Sequence, residues 1–571
     1  MSKKFRLPVI IAASALVFHL FAGFSFIGSS AATYDETVHL SSGYSYLHTG
    51  RYVMNIMDHP PFSEMLSALP LLALRPLTFT SHPYFANFMP YHYGDLFLYQ
   101  NRVSPGRLLN TARVFTFLVW TGLFAWFIWL FASRLGSPAA AALSVAVFSF
   151  MPVFISNNAL ISTDAAAAVF YFGSFTFGWL FTSAGAIQAG GKGSRKKEAA
   201  GAGSPRLWAA LAGAASGLAL VSKFSMFIVP PMVAAFWLAD HLLRPRMKSL
   251  KLFGYLLLYF AACLLVVALV YKFNLGLYWE GLFATLRRLD AGRSSFIMGR
   301  HTLKGVWWYF PAALAVKTPL LVLFAALGGA WLGFKRSRKD YLWLILPPAV
   351  FFAVALTARV QIGYRHIMPV MPFLAVLAGL ALARLTELKK GAWLVAALLA
   401  LNAASVLRAH PYYLAYFNEP AGGPANGYKL LVDSNLDWGQ DVKGLADYLK
   451  SRGNPPVIFS YFGVARPESY GIDYVPLGIV SNVDLGGTGV QVCGMKEILL
   501  AVSATNLQGT YFPDKETFSW LKSRRPVFTA GYSVFVYDLT RDKEALGKLG
   551  ALLDREGRNQ EADCLYVKAG Q

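Results

Sequence analysis

Two adjacent carboxylates, Asp35 and Glu36 in "YDETVHL" (Tyr34 to Leu40), follow a long apolar run almost at once. Hydrocarbon solvates charge poorly, so acids beside lipid are either out in water or held in place for a purpose. A held carboxylate can take the proton from an attacking hydroxyl, which is general-base chemistry. Asp164 opens another apolar run in "LISTDAAAA", where Ser162, Thr163 and Asp164 would equally serve as a helix N-cap. In "MDHPPFSEML" the paired prolines Pro60-Pro61 stiffen the chain and hold His59 extended, which presents Asp58 and His59 as a fixed polar edge. A plain turn accounts for that stretch equally well. Glu64, Asp95, Glu280 and Asp290 complete the acids that the topology below assigns to the same face.

Cations accompany them. Lys223 interrupts "GLALVSKFSMFIVPP", Lys317 sits inside "FPAALAVKTPLLVLF", and Arg365-His366 precede "IMPVMPF". One cation at a membrane boundary can snorkel to lipid phosphates, but Lys317 lies deep enough to need a partner or an aqueous cavity. Several cations and acids on one face suit a substrate with an anionic headgroup at the bilayer surface.

In "LVDSNLDWGQDVKGL" the spacing of Asp433, Asn435, Asp437 and Asp441 echoes the alternating oxygens of a calcium loop. Trp438 stands where an EF-hand needs Gly, and Gly444 where it needs Glu, so a turn entering a helix is the better reading. A divalent cation held by acids in a cleft stays open as a cofactor, although no ligand spacing demands one. Patterns of the type GxGxxG, P-loop, HExxH and paired CxxC are absent, which argues against nucleotide, zinc-protease and redox enzymes.

The elements that must position these residues are apolar. The 571 residues are 56% hydrophobic and 14% charged, with mean hydropathy +0.44, which excludes an ordinary water-soluble globule. A net charge of +22 is concentrated in connectors such as "GGKGSRKKE", "RPRMKSLK", "KRSRKD" and "ELKK". That placement follows the positive-inside rule and gives no reason to expect nucleic acid as a partner. The basic N-terminus precedes an apolar run too long for a cleavable signal peptide, and is expected to be a retained signal anchor.

Runs long enough to span begin near Pro8, Val114, Pro138, Ala165, Leu207, Phe224, Leu252, Trp307, Tyr341, Ile367 and Ala392, about eleven spans in all. Alternation puts every basic connector on the cytoplasmic side and every polar residue named above on the other. "FSEMLSALPLLAL" (Phe62 to Leu74) is short for a span and reads as an interfacial helix. Residues 1–407 form the expected membrane domain, including an extracytoplasmic loop at 31–107. Residues 408–571 mix strand-like and helical runs and form an expected extracytoplasmic α/β domain. Cys493 and Cys564 in that domain either pair or remain thiols, and Cys263 lies in an apolar run. The segment Gly185 to Pro205 reads as a flexible cytoplasmic loop.

An acidic pair outside the first span, "HPP" at an interfacial helix and "TD" opening the fourth span together resemble the GT-C superfamily of polytopic glycosyltransferases. Within it the pattern is similar to the protein O-mannosyltransferases and the aminoarabinose transferase of lipid A. "GVWWYFPAALAVKTPL", "GYRHIMPVMPFLAVLAG" and "HPYYLAYFNEPAGGPANGYKLLVDSNLDWGQD" look like segments of bacterial members. His59 follows the O-mannosyltransferase pattern where the aminoarabinose transferases place Lys, so sugar and acceptor stay open.

The resemblance implies a mostly α, GT-C type membrane protein of the bacterial inner membrane. Its donor would be a polyprenyl-phosphate-linked sugar and its acceptor a hydroxyl of a glycan, lipid or protein. Asp35 would be the general base, with Glu36 and Asp164 orienting acceptor or sugar. Arg365, with Lys223 or Lys317, would stabilise the leaving polyprenyl phosphate, and Asp58, His59 and His366 would line the substrate site. One displacement inverts the anomeric centre, although two acids in one cleft permit retention in principle. The alternatives are a transporter or flippase of polyprenyl-linked glycans and a non-catalytic glycan-binding scaffold. Acids clustered at one boundary, rather than at the midplane, favour the enzyme.

Overall fold

The computed structural model describes residues 3–188, 204–245, 247–335 and 339–570. Most of the expected flexible loop Gly185 to Pro205 lies outside the described residues.

Among the described residues six helices are long and apolar enough to cross a membrane: Arg6–Ser29, Pro105–Leu135, Asp164–Ala184, Phe224–Leu243, Ser249–Val270 and Tyr364–Leu385. The pair Tyr309–Lys317 and Leu320–Lys335, bent by 112° at a short break, is long and apolar enough only when taken together. All eleven expected apolar runs are helical, but the other four are short: Pro138–Ser149, Pro205–Leu220, Leu342–Leu356 and Gly391–Leu407. At ~1.5 Å per residue, helices this short fall below a hydrocarbon thickness of ~30 Å. The first of them is cut off where Phe150, Met151 and Pro152 interrupt the helix, because proline cannot donate to the preceding turn.

Burial separates centre from periphery. The apolar window of Asp164–Ala184 is wholly buried and that of Tyr364–Leu385 is 78% buried, whereas that of Ser249–Val270 is only 28% buried. The two central helices begin at or beside Asp164 and Arg365. Close helix contact is made through small residues. A Cβ on Gly213 would lie 2.2 Å from the Tyr259 carbonyl oxygen, and one on Gly217 would lie 2.7 Å from that of Cys263. This four-residue spacing lets the backbones of Pro205–Leu220 and Ser249–Val270 touch.

The expected interfacial helix is Pro61–Ala68, followed by a single turn at Leu71–Leu74. It packs on Glu36–Thr49, where a Cβ at Gly43 would meet the Glu64 carbonyl at 2.0 Å. A short antiparallel ribbon, β1 (Ser295–Ile297) and β2 (Arg300–Thr302), lies in the loop after Leu275–Ala291. The C-terminal sheet has the order β4-β3-β5-β7-β6, from β3 (Val457–Ser460), β4 (Tyr474–Pro476), β5 (Leu499–Ser503), β6 (Phe528–Ala530) and β7 (Val534–Asp538). Strands β4, β3 and β5 are parallel, while β7 and β6 run antiparallel. Cys493 and Cys564 form a disulfide, and Cys263 is a buried free thiol.

This domain is docked on the membrane region. Ala31 N–H donates to the Gln440 carbonyl at 2.7 Å and Tyr34 N–H to that of Trp438 at 3.0 Å. Arg466 forks onto both oxygens of Asp95 at 2.7 and 2.6 Å, and Met298 N–H donates to the Leu430 carbonyl at 2.8 Å. Each bond joins a loop of the membrane region to a C-terminal segment.

The Gly213/Gly217 contact gives a direct test. A Gly213→Val/Gly217→Val double variant must push two helices apart at backbone contact, at a cost of about 1–3 kcal/mol per site. It is expected to lower the melting temperature of the detergent-solubilised protein in fluorescence-detected size-exclusion chromatography, whereas changes at Gly122, which faces open space, leave it unchanged.

Candidate functional site

Asp35 is the N-cap residue of Glu36–Thr49, yet its side chain makes no capping bond. Its carboxylate is a quarter exposed, and among the described residues its one bonded oxygen, Oδ2, accepts from Arg365 Nη2 at 3.2 Å. Asp164 is 2% exposed and both its oxygens are occupied. Oδ2 accepts from Arg365 Nη1 at 2.9 Å, and Oδ1 is ion-paired with Lys223. The N-cap alternative for Asp164 therefore gives way to an ion-pair role.

Arg365 is the hub. Its guanidinium bridges Asp35 and Asp164, Nε donates to Ser434 Oγ at 3.0 Å, and the plane lies 4.0 Å from the Trp438 ring centroid. Only arginine combines a planar fork with a stacking face in this way.

Two expected site residues have different jobs. Glu36 is fully buried in a bidentate pair with Arg113, at 2.8 and 2.5 Å. It also accepts from Ile161 N–H at 3.0 Å and from Thr33 N–H and Oγ1, both at 2.9 Å. It locks the acidic loop to the helix Pro105–Leu135 and to the turn before Asp164, and orienting a substrate would require breaking those bonds. Lys317 is buried beneath the loop after residue 408, where it donates to the carbonyls of Leu414 at 2.7 Å and Asn435 at 2.5 Å and lies 4.5 Å from the Phe417 ring. Its ammonium is taken up by these two carbonyls of the C-terminal segment, so it is not available to a phosphate. Asp58 is ion-paired with Arg288 at the surface. His59 packs edge-on against His39 at 4.9 Å, and His366 is half-buried with its ring 6.4 Å from Phe310.

Other residues at the site had no role in the sequence reading. His39 Nδ1 is bonded to Glu64 at 2.8 Å, and Glu64 also accepts from Asn55 at 2.6 Å. Burial opposes the charged form of His39, but the bond to Glu64 and the charges of Glu64 and Asp35 together outweigh it and raise the imidazole above its ordinary value. Burial, helped by the charge of His39, pushes His59 well below its own. Their surroundings thus shift the two neighbouring rings in opposite directions. Arg293 makes no ion pair within 4.0 Å among the described residues, and its Nε donates to the Tyr511 hydroxyl at 3.0 Å. The only signal for it in the sequence was its place in an outer loop. For His39 it was the four-residue spacing from Asp35 on one helix face.

The Asp433–Asp441 motif proves to be the clamp of this site. Asp433 sits at φ +57°, a conformation Asp tolerates, and accepts from Ser434 N–H at 2.6 Å and from the Tyr511 hydroxyl. Asn435 Oδ1 accepts from Tyr364 N–H at 2.8 Å. Asp437 accepts from Thr505 N–H at 2.8 Å, and Asp441 from Ser533 at 2.6 Å and Gln440 at 2.7 Å. These acids fan out to separate partners instead of converging, in keeping with the turn entering a helix rather than a calcium loop. Among the described residues no group of three or more His, Cys, Asp or Glu is arranged to hold a metal ion.

An apolar groove of about 990 Å³ runs beside Phe324, Trp331, Leu385 and Leu398, with Arg408 and Glu419 also lining it. It shares no lining residue with the charged cluster.

No family model matches the chain, and no curated protein matches it. Among solved structures it is similar to ArnT from Cupriavidus metallidurans bound to undecaprenyl phosphate, with TM-score 0.46 and 14% identity over 94% of this chain and 98% of that one. It is also similar to the Archaeoglobus fulgidus oligosaccharyltransferase tethered with an acceptor peptide, with TM-score 0.43 and 13% identity over 69% of this chain and 53% of that one. A third is AglB from the same organism in complex with an inhibitory peptide and a dolichol-phosphate, with TM-score 0.43 and 12% identity over 76% of this chain and 58% of that one.

Two measurements check the electrostatics. Arg365→Leu leaves Asp164 buried with one cation fewer and is expected to destabilise by about 3–5 kcal/mol. Adding Asp164→Leu should recover part of that loss, which a double-mutant cycle of melting temperatures reads directly. The second concerns Asp437, whose carboxyl burial raises from 3.8 to about 7. Between those values the folded chain holds a proton that the unfolded chain has lost, so stability falls as pH rises from about 4 through 7. Asp433 and Asp441 are raised by burial too, so the informative quantity is the difference from Asp437→Asn. That variant is expected to lose less melting temperature between pH 5 and 8 than the native chain.

Proposed function

We propose that the chain is a membrane glycosyltransferase that moves a sugar from a polyprenyl-phosphate donor to a hydroxyl acceptor, on the extracytoplasmic face of a bacterial inner membrane. The observation that carries this reading is the asymmetry of Asp35, with one oxygen held by Arg365 and the other without a bonded partner among the described residues. A carboxylate fixed on one side and open on the other is oriented for proton abstraction. Its neighbours are cations at the end of apolar helices, where a lipid-borne phosphate would arrive.

In this reading the acceptor O–H gives its proton to the open oxygen of Asp35 as the acceptor oxygen bonds to the anomeric carbon. The bond from that carbon to the phosphate oxygen breaks, and polyprenyl phosphate leaves with the electron pair. Arg365 and Lys223 are matched by Asp35 and Asp164 together, so Arg293, which makes no ion pair within 4.0 Å among the described residues, is the cation left for the leaving group. Both oxygens of Asp164 are engaged, which leaves one open carboxylate and favours a single inverting displacement. The positive-inside pattern of the connectors supports the extracytoplasmic placement.

Asp35→Asn tests the base. In purified, folded protein supplied with a panel of polyprenyl-phosphate sugars, transfer is expected to fall by about 10²–10⁴-fold with donor binding retained. Transfer at the native rate would remove Asp35 from the mechanism.

A further inference from the structure

Four aromatic rings run without a break beside Asp35. Tyr91 meets Tyr34 at 5.8 Å, Tyr34 stacks on Phe462 at 5.1 Å, and Phe462 stacks on Tyr511 at 5.5 Å. The Arg293 guanidinium then lies 5.2 Å from the Tyr511 ring. Three separate parts of the chain build this wall: the first outer loop, the C-terminal domain and the loop before β1. Tyr34 and Phe462 are buried and fix the middle, while Tyr91 and Tyr511 are half-buried and keep part of their surface open. Asp35 follows Tyr34 directly, and its charge, with that of Arg293, is felt at the hydroxyls of both Tyr34 and Tyr91.

A second observation comes from the sheet. Phe462 lies two residues past the carboxyl end of β3, and Tyr511 lies in the connection that leaves the carboxyl end of β5. These strands are parallel neighbours. Loops at the carboxyl ends of parallel strands are where open α/β sheets bind ligands, and here both loops contribute rings to the wall that continues from Tyr34, the residue before Asp35.

We propose that this wall is the acceptor subsite and that the acceptor is a saccharide, its ring laid against Tyr91 and Tyr511 with the reacting hydroxyl at Asp35. A pyranose presents apolar C–H faces and a rim of hydroxyls. Flat amphipathic rings serve the first, and the carboxylates and guanidinium at the edge serve the second. An extended peptide would be served better by an open strand edge, but the wall comes from strand ends, and the edge strands of this sheet are β4 and β6. The acceptor role rests on the proposed glycosyl transfer, whereas saccharide binding by the wall does not.

The test is saturation-transfer NMR on the full-length protein in lipid nanodiscs, without donor. The probes are mannotriose, chitotriose, xylotriose and a Ser/Thr-rich octapeptide. At least one oligosaccharide is expected to receive saturation, with affinity reduced at least roughly tenfold in Tyr511→Ala and Tyr91→Ala, or ~1.4 kcal/mol. Tyr511→Phe keeps the ring while losing the ties to Asp433 and Arg293, and is expected to retain binding. Should Tyr511→Ala unfold, Tyr91→Ala at the other end of the wall carries the same decision. Binding of the peptide alone, of no oligosaccharide, or of an oligosaccharide equally in both alanine variants overturns the proposal. Saccharide binding without transfer from any donor would instead refute glycosyl transfer and leave the subsite standing.

Discussion

A guanidinium that is 8% exposed at the head of an apolar helix has to be matched by charge from somewhere, and Arg365 is matched from across the whole chain. Its partners are Asp35 from the first loop, Asp164 from the most buried helix and Ser434 with Trp438 from the C-terminal segment. None of these can shift without leaving a buried charge exposed to low dielectric. The cost of such an error is what holds four distant segments to one geometry. Asp35 benefits most, because a bond to one oxygen fixes the direction of the other.

The C-terminal domain follows from the same constraint. A docked domain needs specific contacts, and here its first thirty or so residues are spent on the site itself. Trp438 supplies the stacking face for Arg365 and the carbonyl that anchors Tyr34. Asn435 holds the backbone at Tyr364, one residue before Arg365. Lys317 belongs to this layer too, since it satisfies carbonyls of the segment that carries the clamp. The 112° break beside it frees carbonyls of its own, and those of Ala315 and Thr318 accept from Asn418 Nδ2 of the same C-terminal segment.

Several features were legible before any coordinates. Apolar length and the placement of Lys and Arg identify a polytopic membrane chain, because bilayer thickness and charge solvation act locally on sequence. Strand-like and helical alternation after Leu407 announces the mixed domain that forms β3 to β7. Asp35, Asp164, Lys223 and Arg365 were all recognisable as charges out of place beside apolar runs, and they do come together. Two further charges are taken up entirely within the fold. Glu36 and Lys317 are equally out of place in sequence, but their partners, Arg113 and the carbonyls of Leu414 and Asn435, lie 77, 97 and 118 residues away.

The sequence by itself therefore determined which charges cannot be idle, how many apolar helices surround them, and that a mixed α/β domain follows. Only the tertiary structure decided which of those charges are satisfied within the fold and which face outward. Solvation cost is a property of a residue and its immediate neighbours, so it can be read along the chain. Pairing depends on atoms meeting within about 3 Å across the fold, and no local pattern in "DSNLDWGQD" reveals that its tryptophan will lie flat against an arginine seventy-three residues earlier.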